Sequence, residues 1–124
     1  MAPSQLQIAT SSLQRFLKEE ASYHKEQEQQ EARIAKLEKE GSGGDDEGED
    51  GNQEFRLKQE KRALEETKAI IPTLRERITS TREKLESYLD TATNDEERNK
   101  AVEVLKAAKE AQKDDPIAGQ KTSG

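Results

Sequence analysis

Leu57, Leu64, Ile71, Ile78 and Leu85 recur every seventh residue without a miss. A strict seven-residue apolar repeat returns to nearly the same helix face every two turns, and it stays buried only against a second helix. That spacing predicts a long helix over about residues 53–91, packed left-handedly along a seam. Leu74, Tyr88 and Leu89 support the seam and Ile70 broadens it. Pro72 falls inside the pattern. A proline there removes an amide donor and crowds the preceding turn, so a kink is expected near Lys68–Ile71. The apolar phase resumes beyond it, which favours one bent helix over two.

The first part of the chain carries the matching stripe. Leu6, Ala9, Leu13, Phe16, Tyr23, Ile34 and Leu37 step by three and four through a helix expected over about 5–40, and Leu17 widens the stripe. Glu20, Gln27 and Gln30 occupy seam positions at its waist. Two readings of them stay open: a loose seam from which long side chains reach solvent, or a polar surface shared with a partner. Ser4 and Gln7 have capping-box spacing. A third helix is expected over about 95–113, with Asn94 as N-cap, Asp95, Glu96 and Glu97 in its first turn, and a small-residue face of Ala101, Val102, Val104, Leu105, Ala108 and Ala111. The short link near Thr91–Asn94 implies antiparallel neighbours. The expected fold is therefore all-α: an elongated up-down-up three-helix bundle over residues 1–113, with coiled-coil-like packing and helix 2 kinked at Pro72.

Between the first two helices, Gly41–Gly51 reads Gly-Ser-Gly-Gly-Asp-Asp-Glu-Gly-Glu-Asp-Gly. It has nothing apolar to bury and its acids repel one another, so a flexible acidic loop is expected over 41–52. It is not an EF-hand. A loop starting at Asp46 would place Gly48 at a ligand position and Leu57 where the bidentate Glu belongs. Asp114-Asp115-Pro116 ends the third helix, and the tail 114–124 is expected to be disordered.

Composition narrows the chemistry. Charged residues make up 39% of the 124 residues, hydrophobic residues 29% and aromatics 3%. So lean a chain could be disordered, but a net charge of only −6 and the regular apolar spacing argue for thin helical seams. The chain contains no cysteine, so disulfides and thiolate chemistry are excluded. His24 is the one histidine; with no second histidine it fits neither a catalytic pair nor a di-iron-type site, and Glu20 one turn back is an ordinary surface partner. Consecutive acids such as Glu65 and Glu66 point about 100° apart on a helix. Lys58, Lys61, Arg62, Arg75, Arg77, Arg82 and Lys84 alternate with glutamates and read as a solvated face. The acidic balance disfavours nucleic acid. No apolar run approaches the roughly 20 residues that span a bilayer. A cytosolic, non-enzymatic protein without cofactor or metal is expected.

Two stretches carry a resemblance. The first is Leu13-Gln-Arg-Phe-Leu-Lys-Glu-Glu-Ala-Ser-Tyr-His-Lys-Glu, followed by Gln29-Gln-Glu-Ala-Arg-Ile. The second is Gln59-Glu-Lys-Arg-Ala-Leu-Glu-Glu-Thr-Lys-Ala-Ile-Ile-Pro. Over about residues 6–112 the chain resembles the tubulin-binding cofactor A (tubulin-specific chaperone A) family. The matching features are Arg15, Leu17, Lys18, Glu19, Tyr23, Gln29, Gln30, Glu31 and Ile34, in register with Ile71-Pro72. The acidic loop and the tail are longer than the family pattern. The resemblance implies a three-helix bundle that captures β-tubulin after the cytosolic chaperonin and passes it toward the α/β heterodimer, in the cytoplasm and associated with the cytoskeleton. Candidate partner contacts are Tyr23, Glu26, Gln30 and Glu31 on helix 1, with Glu65, Glu66 and Arg75 near the proline, which shapes the surface. Monomer and homodimer both remain open. The rival reading is a self-assembling coiled-coil or adaptor.

Overall fold

Helix ends decide how the chain divides, and the ends are built locally. Ser4 Oγ accepts from the Gln7 amide at 3.1 Å while Gln7 Oε1 accepts from the Ser4 amide at 2.9 Å. This reciprocal pair satisfies two donors that helix formation leaves open. At the other end of the chain, Asn94 Oδ1 accepts from the Glu97 amide at 2.8 Å. Glu97 then turns its carboxylate back to Thr93, taking the backbone amide at 3.1 Å and the hydroxyl at 2.8 Å.

The computed structural model describes residues 2–42 and 50–113. They form α1 (Gln5–Ser42), α2 (Asp50–Tyr88), a short 3-10 turn (Leu89–Thr91) and α3 (Asp95–Ala111), with no strand among the described residues. α1 runs past the expected end at Glu40, and α2 starts before the expected Gln53. Two glycines, Gly41 and Gly51, thus lie in helical turns despite their entropic cost. The remainder of the acidic loop, 43–49, and the tail 114–124 lie outside the described residues. α2 is continuous helix through Pro72, whose side chain is exposed, so the kink expected there is not confirmed. The donor lost at Pro72 would have met the carbonyl of Lys68, itself an exposed residue that water can serve.

Contacts divide the chain into two units. One takes the chain up to Glu20 together with what is described from Thr73 onward; the other is Ala21–Pro72. The first is a three-helix bundle. Its core is Leu6, Ala9 and Leu13 from α1, Leu74, Ile78 and Leu85 from α2, and Ala101, Val104, Leu105 and Ala108 from α3. Leu6, Leu13, Ile78 and Leu85 are essentially sealed from solvent. Each such side chain contributes about 1.5–3 kcal/mol of burial. Ala101 and Ala108, both wholly buried, let α3 approach closely. Ser4 Oγ reaches Glu97 Oε1 at 3.2 Å, so the starts of α1 and α3 lie together and the order is up, down, up.

The second unit is a pair of helical segments. Gln53 Nε2 donates to the Leu37 carbonyl at 2.9 Å and Arg33 Nε donates to Glu60 Oε1 at 3.0 Å, which is an antiparallel register. Its buried apolar side chains are Ile34 and Ile71, beside buried Gln30 and Thr67. Leu37, Leu57, Ala63 and Leu64 are half-buried. Phe55 and Ile70 are exposed.

Candidate functional site

A metal centre would need several converging ligands. No group of three or more His, Cys, Asp or Glu among the described residues could hold a metal ion. His24 is half-buried on α1. An open cleft of about 490 Å³ lies between the first turns of α1 and α3, lined in part by Gln7, Asn94, Glu96 and Glu97. Gln7, Asn94 and Glu97 are already engaged in capping hydrogen bonds. Thr93 holds the Glu97 carboxyl below the usual carboxylate range, mainly through its hydroxyl and then its amide, with Ser4 adding to the effect. Such an acid stays ionised near neutrality and is a poor proton donor. No described helix is long and apolar enough to cross a membrane.

What the helices offer is lateral surface. Of the expected contacts, Tyr23, Glu26, Gln30, Glu31, Glu65 and Glu66 belong to the two-helix unit, and Arg75 to the three-helix unit. Glu26, Glu31, Glu65 and Glu66 are exposed, and Tyr23 is half-buried. Tyr23, Glu26 and Gln30 share a face of α1 by their spacing of three and four. Gln30, however, is turned inward: it is 3% exposed, and its Oε1 finds no donor among the described residues. A buried carbonyl in that state costs about 1–3 kcal/mol. Glu65 sits 3.9 Å from Lys68 Nζ in a solvated pair that adds little.

Arg75 has a different task. Its Nε donates to Glu20 Oε2 at 3.0 Å, and the Glu20 side chain is only 5% exposed. Glu20 thus follows neither of the two readings: it does not reach solvent, and the group it meets is an arginine of the same chain. Arg82 corrects the expectation of a solvated basic face, for it is 3% exposed. Its Nη1 donates to Gln112 Oε1 at 3.0 Å, and Gln112 Nε2 donates to Thr79 Oγ1 at 2.8 Å and to the Arg75 carbonyl at 3.3 Å. Arg82 Nε lies 3.5 Å from Glu86 Oε1. This buried polar chain ties the end of α3 to α2. The signal was present: Arg82 lies one turn from Ile78 on the flank of the seven-residue stripe.

One further surface was not anticipated. A groove of about 260 Å³ runs between the start of α1 and the end of α2, walled by Ile8, Ala9, Phe16 and Tyr88, with Lys84 at its edge. Ile8 is 53% exposed.

Comparison with known proteins agrees with this picture of a helical binding protein. The family model for tubulin binding cofactor A matches residues 1–111. The chain is 37% identical over 110 residues to tubulin-specific chaperone A of Saccharomyces cerevisiae, covering 89% of this chain and 95% of that protein. No solved structure matches.

Proposed function

The chain belongs to the tubulin binding cofactor A family, and on that premise we propose that it is a non-enzymatic tubulin-folding cofactor that binds β-tubulin after its release from the chaperonin. It then passes β-tubulin toward the α/β heterodimer, working in the cytoplasm in association with the cytoskeleton. The observation that carries this reading is the family match across most of the chain. The physical chemistry supports it. A carrier needs broad surface that binds reversibly, and long charged helices with few exposed apolar anchors provide that without a deep pocket.

The contacts we assign are Tyr23, Glu26, Gln30 and Glu31 on α1 and Glu65 and Glu66 on α2, all in the two-helix unit, with Arg75 a separate candidate in the three-helix unit. Tyr23 is the apolar anchor and the exposed acids form a polar surround. Gln30 contributes by shaping the seam beneath them, because its side chain is covered.

The test mixes the full chain with isolated β-tubulin and with isolated α-tubulin at low salt, with and without nucleotide. A stoichiometric complex with β-tubulin alone, indifferent to nucleotide, is expected. Absence of co-elution with β-tubulin would overturn the reading. A chain that instead gains mass and helicity with its own concentration would be a self-assembling coiled coil.

A further inference from the structure

The groove between the start of α1 and the end of α2 is an open apolar surface of the three-helix unit. Ile8 stands 53% exposed beside Phe16 and Tyr88. Its volume of about 260 Å³ falls below the roughly 300–1,000 Å³ typical of small-molecule pockets. It is sized for one or two side chains of another polypeptide.

Charge narrows the occupant. The lining contains Lys84 and no carboxylate. Arg15 lies over the Phe16 ring at 5.2 Å from its centroid, adding a second cation next to the groove. Among the described residues neither Arg15 nor Lys84 takes part in an ion pair. In a chain of net charge −6, two unneutralised cations flanking an apolar groove mark a local reversal of sign. Such a patch attracts carboxylates and steers their approach.

Two other occupants fit less well. A second copy meeting this groove across a two-fold axis would bring the same cations toward one another. An anionic membrane calls for clusters of about 4–8 basic residues, which this patch lacks.

From these observations we infer that the α1–α2 groove is a docking site for an acidic segment of the tubulin client, which places an apolar side chain against Ile8, Phe16 and Tyr88 and a carboxylate near Lys84 and Arg15. The inference rests on the tubulin-cofactor reading and extends it to a surface outside the Tyr23–Glu31 and Glu65–Glu66 contacts.

The experiment measures β-tubulin affinity of the full chain for the unaltered protein, Ile8→Asp, Lys84→Glu and, as control, Lys106→Glu at an exposed position of α3. Helix content and Tm are recorded for each. Both groove positions are solvent-facing, so folding is expected to survive. Ile8→Asp should weaken binding about tenfold. Lys84→Glu should weaken it about threefold at low salt, with the loss shrinking as salt screens the pair. Lys106→Glu should match the unaltered protein. If all three variants bind alike, the groove is not a docking site and the tubulin-cofactor reading stands. If the unaltered protein binds no tubulin, that reading fails and the inference with it. If Ile8→Asp abolishes a concentration-dependent dimer and leaves tubulin affinity intact, the groove belongs to a second copy and the inference is overturned.

Discussion

The two units are made from the same two helices, yet they are held together differently. Up to Glu20 and from Thr73 onward, α1 and α2 share their seam with α3, and ten apolar side chains are buried: Leu6, Ala9, Leu13, Leu74, Ile78, Leu85, Ala101, Val104, Leu105 and Ala108. Several polar groups buried there meet partners from another helix, as with Glu20 on Arg75 and Gln112 on Arg82 and Thr79, although Arg82 Nε makes no hydrogen bond of its own among the described residues. Between Ala21 and Pro72 the same seam has no third helix of its own. Ile34 and Ile71 are buried, the flanking leucines are half-open, and Gln30 keeps a carbonyl without a donor. The lesson is that a two-helix seam can keep its helical repeat and still leave its side chains partly wet. One unit has the marks of a scaffold, and the other those of a working surface drawn from the less stable end of the molecule.

The largest expected effect contrasts the two cores. Ile78→Ala in the three-helix unit should lose about 2–5 kcal/mol in chemical denaturation. Leu64→Ala, at a half-buried position on the same repeat, should lose less than about 1.5 kcal/mol. Equal losses would break the contrast. Pro72→Ala should add about 1–3 kcal/mol by restoring a helix-compatible residue. If a bend at the proline shapes the docking face, affinity for β-tubulin falls at the same time, and unchanged affinity would make the proline a bystander.

Gln112→Ala strips partners from Arg82 and Thr79 and should cost about 1–3 kcal/mol. A neutral result would mean that the polar chain closing the scaffold is dispensable. Gln30→Leu does the reverse in the other unit. It removes an unmatched buried carbonyl and should stabilise by about 1 kcal/mol, read as a rise in Tm. A loss of stability would show that Gln30 is satisfied in solution.

Much of this fold was legible because its determinants are periodic or local. Ser4 with Gln7, and Asn94 with the Glu97 amide, act within one turn, so their spacing identified the helix starts. The seven-residue repeat located α2 because apolar phase survives Pro72. What the repeat could not report is how many helices cover it. Leu57 and Leu64 match Ile78 and Leu85 in register, yet remain half-buried because the 17-residue α3 lies wholly in the other unit. Arg82 was misread for a related reason. An arginine among glutamates looks solvated until Gln112, distant in sequence, is folded against it. The Glu20–Arg75 pair likewise depends on the register of α1 on α2, which spacing along one helix does not contain. Among the docking candidates, exposure supports Glu26, Glu31, Glu65 and Glu66, whereas the groove at Ile8 went unnoticed because Ile8 stands off the heptad stripe.

The smallest effect concerns pH. Thr93 and Ser4 hold Glu97 below its ordinary range, so the folded state binds this proton less readily than the unfolded chain does. The link is fully present above the ordinary glutamate value of about 4.3. It is lost as pH falls through the depressed value. Glu97→Gln should flatten the acid side of the stability profile slightly and leave neutral-pH binding unchanged.

Amide hydrogen exchange of the full chain, alone and mixed with β-tubulin, tests the central claim most directly. In the free protein, amides of Ala21–Pro72 should exchange faster than those of α3 and its packed partners, and β-tubulin should slow exchange around Tyr23–Glu31 and Glu65–Glu66. Uniform exchange along both long helices, unchanged by β-tubulin, would contradict the account.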